Sequence, residues 1–407
     1  MSRFMASARA EYARINAATL QWVLDRPRLH GAYLNTKLNP LTLADYTAAD
    51  GLRGPDFIYG WIQGRGLESL VTHAGWFEDE APALSARLHA TARELYGALE
   101  ARAGGDGHAY FCYDGSFIPV RRTAPDGWTA QATPRHIYTY SDAFVAKGLV
   151  SAAASYGLAG EALHLDYFNA VIAAIEEGRF QIDEHAPLGD EALAAQDDDF
   201  GSRMILLGAA GMLKRLGLAS HTAYAERFIE HVLARHFDPA SGLVRNVPGG
   251  DICNVGHGIE FAGFALDHLG PSAPRETLET LSRILVASFE AGYSAPGVAL
   301  TVSVATGQRT SPFCPWWTLP ETIRTAALLY ELTGSEDAMA VWRTAHDAFF
   351  EWYWRETPPI AYQCRTADGP VDYVPATPDL DPGYHTGLSL LAAIRIADRL
   401  SSIRERN

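Results

Sequence analysis

The sequence predicts an all-α protein, an (α/α)6 barrel with long loops and a small β-hairpin at one rim. Three observations carry that expectation: helical periodicity dominates the chain, the periodic segments number twelve, and their connections alternate between short and long. Ala8, Tyr12, Ile15, Thr19 and Trp22 form one apolar stripe at 3-4-3 spacing. Leu84, Leu88, Ala92, Leu95 and Leu99 form another, and Leu278, Leu281 and Leu285 a third. The twelve segments lie near 3–25, 57–76, 82–101, 141–157, 161–177, 200–216, 220–236, 257–269, 275–291, 319–333, 337–354 and 385–400. Tight joints at 157–160, 217–220 and 334–337 make their flanking helices antiparallel neighbours. Loops at 102–140, 178–199, 237–256, 292–318 and 355–384 then gather at one end, where loops of such length usually carry function. Strand-like alternation is confined to Ala109–Arg121 and Trp128–Tyr138, with Asp-Gly turns at 114–115 and 126–127. No composition break marks a linker, so residues 1–407 are expected to form a single domain.

Composition narrows the function. Hydrophobic residues make up 48% of the 407 positions, enough for a sizeable core, and charged residues 20%. A formal charge of −15 argues against nucleic acid, whose phosphates a negative surface repels. Nine Trp and eighteen Tyr suit a protein that stacks rings on sugar faces, although aromatic residues also fill cores. Cys112, Cys253, Cys314 and Cys364 lie far apart with no CxxC spacing, so neither a disulfide framework nor a zinc site is expected. The first residues contain no apolar leader core, and no run approaches the roughly 18 apolar residues that a membrane span needs. The expectation is a cytoplasmic protein, monomer or homodimer, without membrane or nucleic-acid partners.

Chemistry-bearing residues collect where alternate helices start. His257 and Glu260 open one, in Asn254-Val-Gly-His-Gly-Ile-Glu260. Trp316, Trp317 and Glu321 open another, and Tyr384 and His385 the last. Tyr138, Tyr140 and Asp142 precede the helix after the hairpin. If alternate helices form an inner ring, these starts share one rim. The positive end of a helix dipole favours a neutral imidazole, the form a general base needs, and stabilises charge on an enediolate oxygen.

Each feature also has a plainer reading. Thr318 and Glu321 fit a Thr-x-x-Glu capping box, so Glu321 would only close its own helix. His257 and Glu260 share a helix face, and Arg65 could be an ion-pair partner or a surface charge. No HExxH pattern, Rossmann fingerprint or phosphate loop is present, so neither metal nor cofactor is expected.

Four segments in order resemble the N-acylglucosamine 2-epimerase superfamily, which includes aldose–ketose isomerases of the mannose isomerase type and cellobiose 2-epimerases. They are Gln63-Gly-Arg65, Gly256-His257-Gly-Ile-Glu260, Trp316-Trp317 with Pro320-Glu321, and Pro382-Gly-Tyr-His385. The resemblance covers about residues 55 to 400. It implies the (α/α)6 barrel and two catalytic histidines, His257 and His385, with Glu260 orienting the former. It further implies substrate contacts from Arg65, Gln63, Tyr138, Trp316, Trp317 and Glu321. Two segments depart from the family pattern: Ile205 and Gly208 stand where a histidine and a glutamate are common, and Thr386, Gly387 and Leu388 where the N-acylglucosamine epimerases carry an arginine. The expected reaction interconverts an aldose with its ketose or C2 epimer by histidine-mediated proton transfer through a cis-enediolate. The alternatives are an (α/α)6 glycoside hydrolase working with carboxylates among Asp142, Asp198, Asp199 and Glu321, or a sugar-binding member without chemistry.

Overall fold

A computed structural model describes residues 3–124, 127–373, 377 and 379–406, the side chains of 124 and 403–406 excepted. The chain divides into two compact units, one of Met1–Thr19, Asp198–Pro375 and His385–Asn407, the other of Leu20–Asp197 and Ala376–Tyr384. Helix α1 spans Arg3–Asp25.

The second unit holds α2 (Gly60–Glu80), α3 (Pro82–Asp106), α4 (Tyr140–Tyr156), α5 (Glu161–Glu176) and the short α6 (Asp190–Ala195). Proline at the first position of α3 loses no helical hydrogen bond, and Gly107 ends the helix at φ +72°. Asp142 Oδ2 accepts from Thr139 N at 2.8 Å and so closes the first turn of α4. Helices α2 and α4 pack against each other at glycines. A Cβ on Gly64 would sit 2.6 Å from the Phe144 carbonyl carbon, and one on Gly148 would sit 2.7 Å from the Gly64 carbonyl oxygen. The expected hairpin is the edge of a four-stranded antiparallel sheet in sequence order: β1 (Ile58–Tyr59), β2 (Cys112–Tyr113), β3 (Pro119–Ala124) and β4 (Gly127–Ala130). Asp114 Oδ1 accepts from Ser116 N and Ile118 N and shapes the first turn. The other turn begins at position 126, outside the described residues. The last strand ends at Ala130, short of the expected Tyr138.

The first unit holds α7 (Gly201–Arg215), α8 (Tyr224–Arg235), α9 (Val255–Leu269), α10 (Arg275–Gly292), α11 (Thr318–Thr333), α12 (Glu336–Ala348) and α13 (Ser389–Arg406). Helices α7, α9, α11 and α13 pack side by side in that order, and α8, α10 and α12 each return against one of them. Helices α9 and α11 are buried almost all round, whereas α8, α10 and α12 bury one face, as inner and outer layers require. A π-helical turn, Phe349–Tyr353, follows α12, and a second, Tyr384–Leu388, precedes α13. All four cysteines are buried free thiols. No helix among the described residues is long and apolar enough to cross a membrane.

Candidate active site

In the first unit, local rules place His257. Asn254 caps α9, its Oδ1 accepting from His257 N at 3.2 Å, which puts the histidine in the opening turn. Glu260 follows one turn later and is 1% exposed. Gly256 makes room for Trp317: a Cβ there would collide with the indole and with the Thr318 methyl at 2.8 Å. The Trp317 ring lies 5.6 Å from the His257 ring and 5.5 Å from the His385 ring, so one indole touches both histidines. Trp316 is also buried, and its Nε1 donates to Thr386 Oγ1 at 3.1 Å.

Glu321 does not close its own helix. Thr318 Oγ1 donates backwards to the Pro315 carbonyl at 2.8 Å. The Glu321 carboxylate instead takes His385 Nδ1 at 3.0 Å on one oxygen and pairs with Arg324 on the other. Glu260 Oε1 lies 3.9 Å from the same His385 nitrogen. Burial alone would push the Glu321 carboxyl up, but Arg324 and His385 outweigh it and hold the group below the ordinary glutamate range. An ionised carboxylate only accepts, so Nδ1 of His385 must carry a proton and Nε2 is the basic nitrogen of the neutral ring.

Glu260, Glu321 and His385 each bring a ligand atom within 4.8 Å of the others and could together surround a cation. Here the buried Arg324 guanidinium already supplies positive charge to Glu321, and His385 Nδ1 is engaged as a donor. The departure at Ile205 and Gly208 also has a physical setting. Ile205 is buried, and a side chain at Gly208 would meet the Phe264 ring at 2.6 Å. That ring in turn lies under Arg324, 4.1 Å from its centroid.

In the second unit, Arg65 is 8% exposed, and its guanidinium carbon lies 4.1 Å from the Phe144 ring centre, 5.2 Å from Trp61 and 5.3 Å from Tyr384. Gln63 is used otherwise than expected: its amide accepts from Leu34 N at 2.8 Å and donates to Leu34 O at 3.0 Å. Both ends pin a backbone loop. Tyr138 is half-buried against the His108 ring at 4.6 Å, and its backbone pairs with Arg179 and Gln181. Asp142 also accepts from Ala109 N and the Tyr167 hydroxyl, a purely internal set of bonds.

Sequence reasoning missed two buried polar groups in this unit, Lys147 and Glu184, and Arg324 in the first. Lys147 is fully buried, its Nζ donating to the Tyr384 hydroxyl at 2.6 Å and lying 3.4 Å from Glu68 Oε2. Glu184 accepts from the Trp61 indole and from Ser141 N, and burial pushes its carboxyl up to about 7. The signal for Lys147 was present: one charge in the apolar run Ala143-Phe-Val-Ala-Lys147-Gly-Leu-Val150. Arg324 was legible as the i+3 neighbour of Glu321. Glu184 sits in a loop without periodicity and gave no signal.

No family model and no curated protein matches the chain. Solved structures do, along its whole length. The cellobiose 2-epimerase of Bacillus thermoamylovorans has a TM-score of 0.71 at 16% identity, covering 97% of this chain and 100% of its own. The cellobiose 2-epimerase of Spirochaeta thermophila has 0.72 at 13%, covering 98% and 100%. A D-mannose isomerase has 0.70 at 14%, covering 97% and 98%. An unsaturated glucuronyl hydrolase specific for heparin follows at 0.58 and 10%, covering 97% and 98%. These likenesses establish the fold as the all-α, α/α-barrel class that the sequence predicted. The neighbours with the higher scores are of the kinds that the four-segment resemblance named.

Proposed function

We propose that the chain is a sugar isomerase or epimerase that moves the proton at C2 of an open-chain aldose. The observation that carries this reading is the Glu321–His385 pair: a buried, ionised carboxylate on Nδ1 of an imidazole whose other nitrogen is then the base. His385 takes the proton from the carbon beside the carbonyl, and Glu321 stabilises the imidazolium that forms. The resulting cis-enediolate receives the proton at the neighbouring carbon to give a ketose, or at the other face of C2 to give the epimer. His257, in the opening turn of α9, is assigned as the second acid/base and assists ring opening. Trp317 and Trp316 hold these rings in place, and Arg65, as the resemblance implies, binds substrate oxygens. The shared fold with cellobiose 2-epimerases and a mannose isomerase supports the substrate class.

The hydrolase alternative has less support, because its carboxylates are engaged elsewhere. Asp198 pairs with Arg203 and Arg235, Asp199 accepts from Gly201 N, and Glu321 is tied to His385 and Arg324. The test is proton NMR in heavy water with aldohexoses, pentoses and disaccharides, with and without chelator. Deuterium should enter C2 of at least one sugar, and His385→Ala should abolish the exchange. Hydrolysis without exchange, surviving His385→Ala, defeats the proposal. Activity lost with the chelator and restored by a metal defeats its cofactor-free form.

A further inference from the structure

Away from His385, three side chains of the first unit form a second polar cluster with the composition of a metal centre. Asp198 precedes α7, His231 lies on α8, and His236 caps the end of α8. A ligand atom from each lies within 4.8 Å of the other two. His236 is 0% exposed and directs Nδ1 to the Arg245 carbonyl at 3.1 Å. A carbonyl accepts only, so the proton is on Nδ1 and the Nε2 lone pair faces away from it. Nε2 of His236 and Nε2 of His231 are both buried and find no hydrogen-bond partner among the described residues. A buried lone pair left unsatisfied is costly, and an imidazole held by a carbonyl on its far nitrogen is the usual support of a metal-bound histidine.

We propose that Asp198, His231 and His236 form a binding site for a borderline divalent transition ion of the zinc type, completed by water. Asp198 supplies the one carboxylate of the set. Two guanidiniums approach that carboxylate, and they differ in consequence. Arg203 bonds Oδ1 at 3.2 Å from a mostly buried position and fixes the carboxylate orientation. Arg235 bonds Oδ2 at 3.2 Å, on the oxygen that lies 3.6 Å from His231 Nε2. Its side chain is 54% exposed, so it can swing into solvent when the ion enters. Arg235 is the gate of the site, and Arg203 its outer support. The Phe200 ring stands 5.5 Å from His236 and 6.3 Å from His257, so the ion would brace the wall behind His257.

The experiment is calorimetric titration of the chelator-treated full chain with Zn2+, with Co2+ absorption as the reporter of coordination number. One equivalent should bind with a dissociation constant of about micromolar, and Co2+ should give a four-coordinate spectrum. His231→Ala and His236→Gln should each weaken binding at least about tenfold. Arg235→Ala should bind as tightly as the native chain or tighter. Circular dichroism checks that each variant is folded, and His231→Ala, at a half-buried position, keeps the test decisive if His236→Gln does not fold. Absence of one-equivalent binding overturns the proposal, as do unchanged affinity in His231→Ala or weakened affinity in Arg235→Ala. None of these readouts depends on a sugar or on turnover.

Discussion

Replacing Glu321 with glutamine keeps the shape of the side chain and removes its charge. In the native chain Oε1 takes the His385 Nδ1 proton at 3.0 Å and Oε2 faces Arg324, so the substitution changes both partners at once. A glutamine amide can present its NH2 group to Nδ1, which moves the imidazole proton to Nε2 and removes the base that the proposed mechanism requires. The equivalent loss in carboxylate–histidine pairs of hydrolases costs about 10^4-fold in turnover, which corresponds to roughly 5 kcal/mol in the barrier. Arg324 is 9% exposed and would lose its carboxylate, so folding stability should fall by about 3 kcal/mol. A pH signature accompanies this. Glu321 is held below its ordinary value of 4.5, so its stabilising contribution is present above that pH. It is lost as pH falls through the folded-state value, and Glu321→Gln should lack that acid-side loss. The assays are C2 hydrogen exchange in heavy water by NMR and urea unfolding between pH 3 and 7. A folded Glu321→Gln chain exchanging within about tenfold of the native rate would refute the assignment of Glu321 as the partner that sets the His385 tautomer.

Other expectations follow from the same geometry. Gly256→Ala pushes the Trp317 indole away from both histidines, so exchange should slow markedly while stability falls by about 1–3 kcal/mol, read by the same two assays. Glu184, with its carboxyl raised from 4.5 to about 7, contributes stability that is complete below pH 4.5 and lost as pH rises through 7. The loss is on the order of 3 kcal/mol, and Glu184→Gln should remove it from a urea series. Lys37 and Asp379 are each 1% exposed and pair at 2.9 Å, so Lys37→Met should destabilise by about 3–5 kcal/mol, much of which Asp379→Leu in the same chain should restore.

The helices were legible because their apolar stripes repeat over many turns. The segment expected at 3–25 is helix Arg3–Asp25, and the one expected at 161–177 is Glu161–Glu176. The tight joint expected at 157–160 begins at the end of α4, where Gly157 takes φ +60°. The hairpin showed through its turn residues but not its extent, because a strand of four residues such as Gly127–Ala130 carries too little alternation to mark its end. Glu321 illustrates a deeper limit. Its spacing from Thr318 satisfies a local motif, yet its partner is 64 residues away, and a local pattern cannot register a bond of that separation. Gln63 fails in the opposite sense: it sits beside Arg65 in the segment that resembles the family, but a neighbouring loop takes both ends of its amide.

The unit that carries His257, Glu321 and His385 is built from three stretches of chain, the first ending at Thr19 and the last starting at His385. Asn16 Nδ2 donates to the Gly387 carbonyl at 2.9 Å, and Arg9 pairs with Asp398, so the early helix is stitched directly to the late one. During synthesis the first of these stretches must wait for the third while some 360 residues emerge between them. The residues proposed to move the proton therefore come together only once the third stretch has emerged, and a ribosome stalled before position 385 yields a chain with most of its helices but without His385.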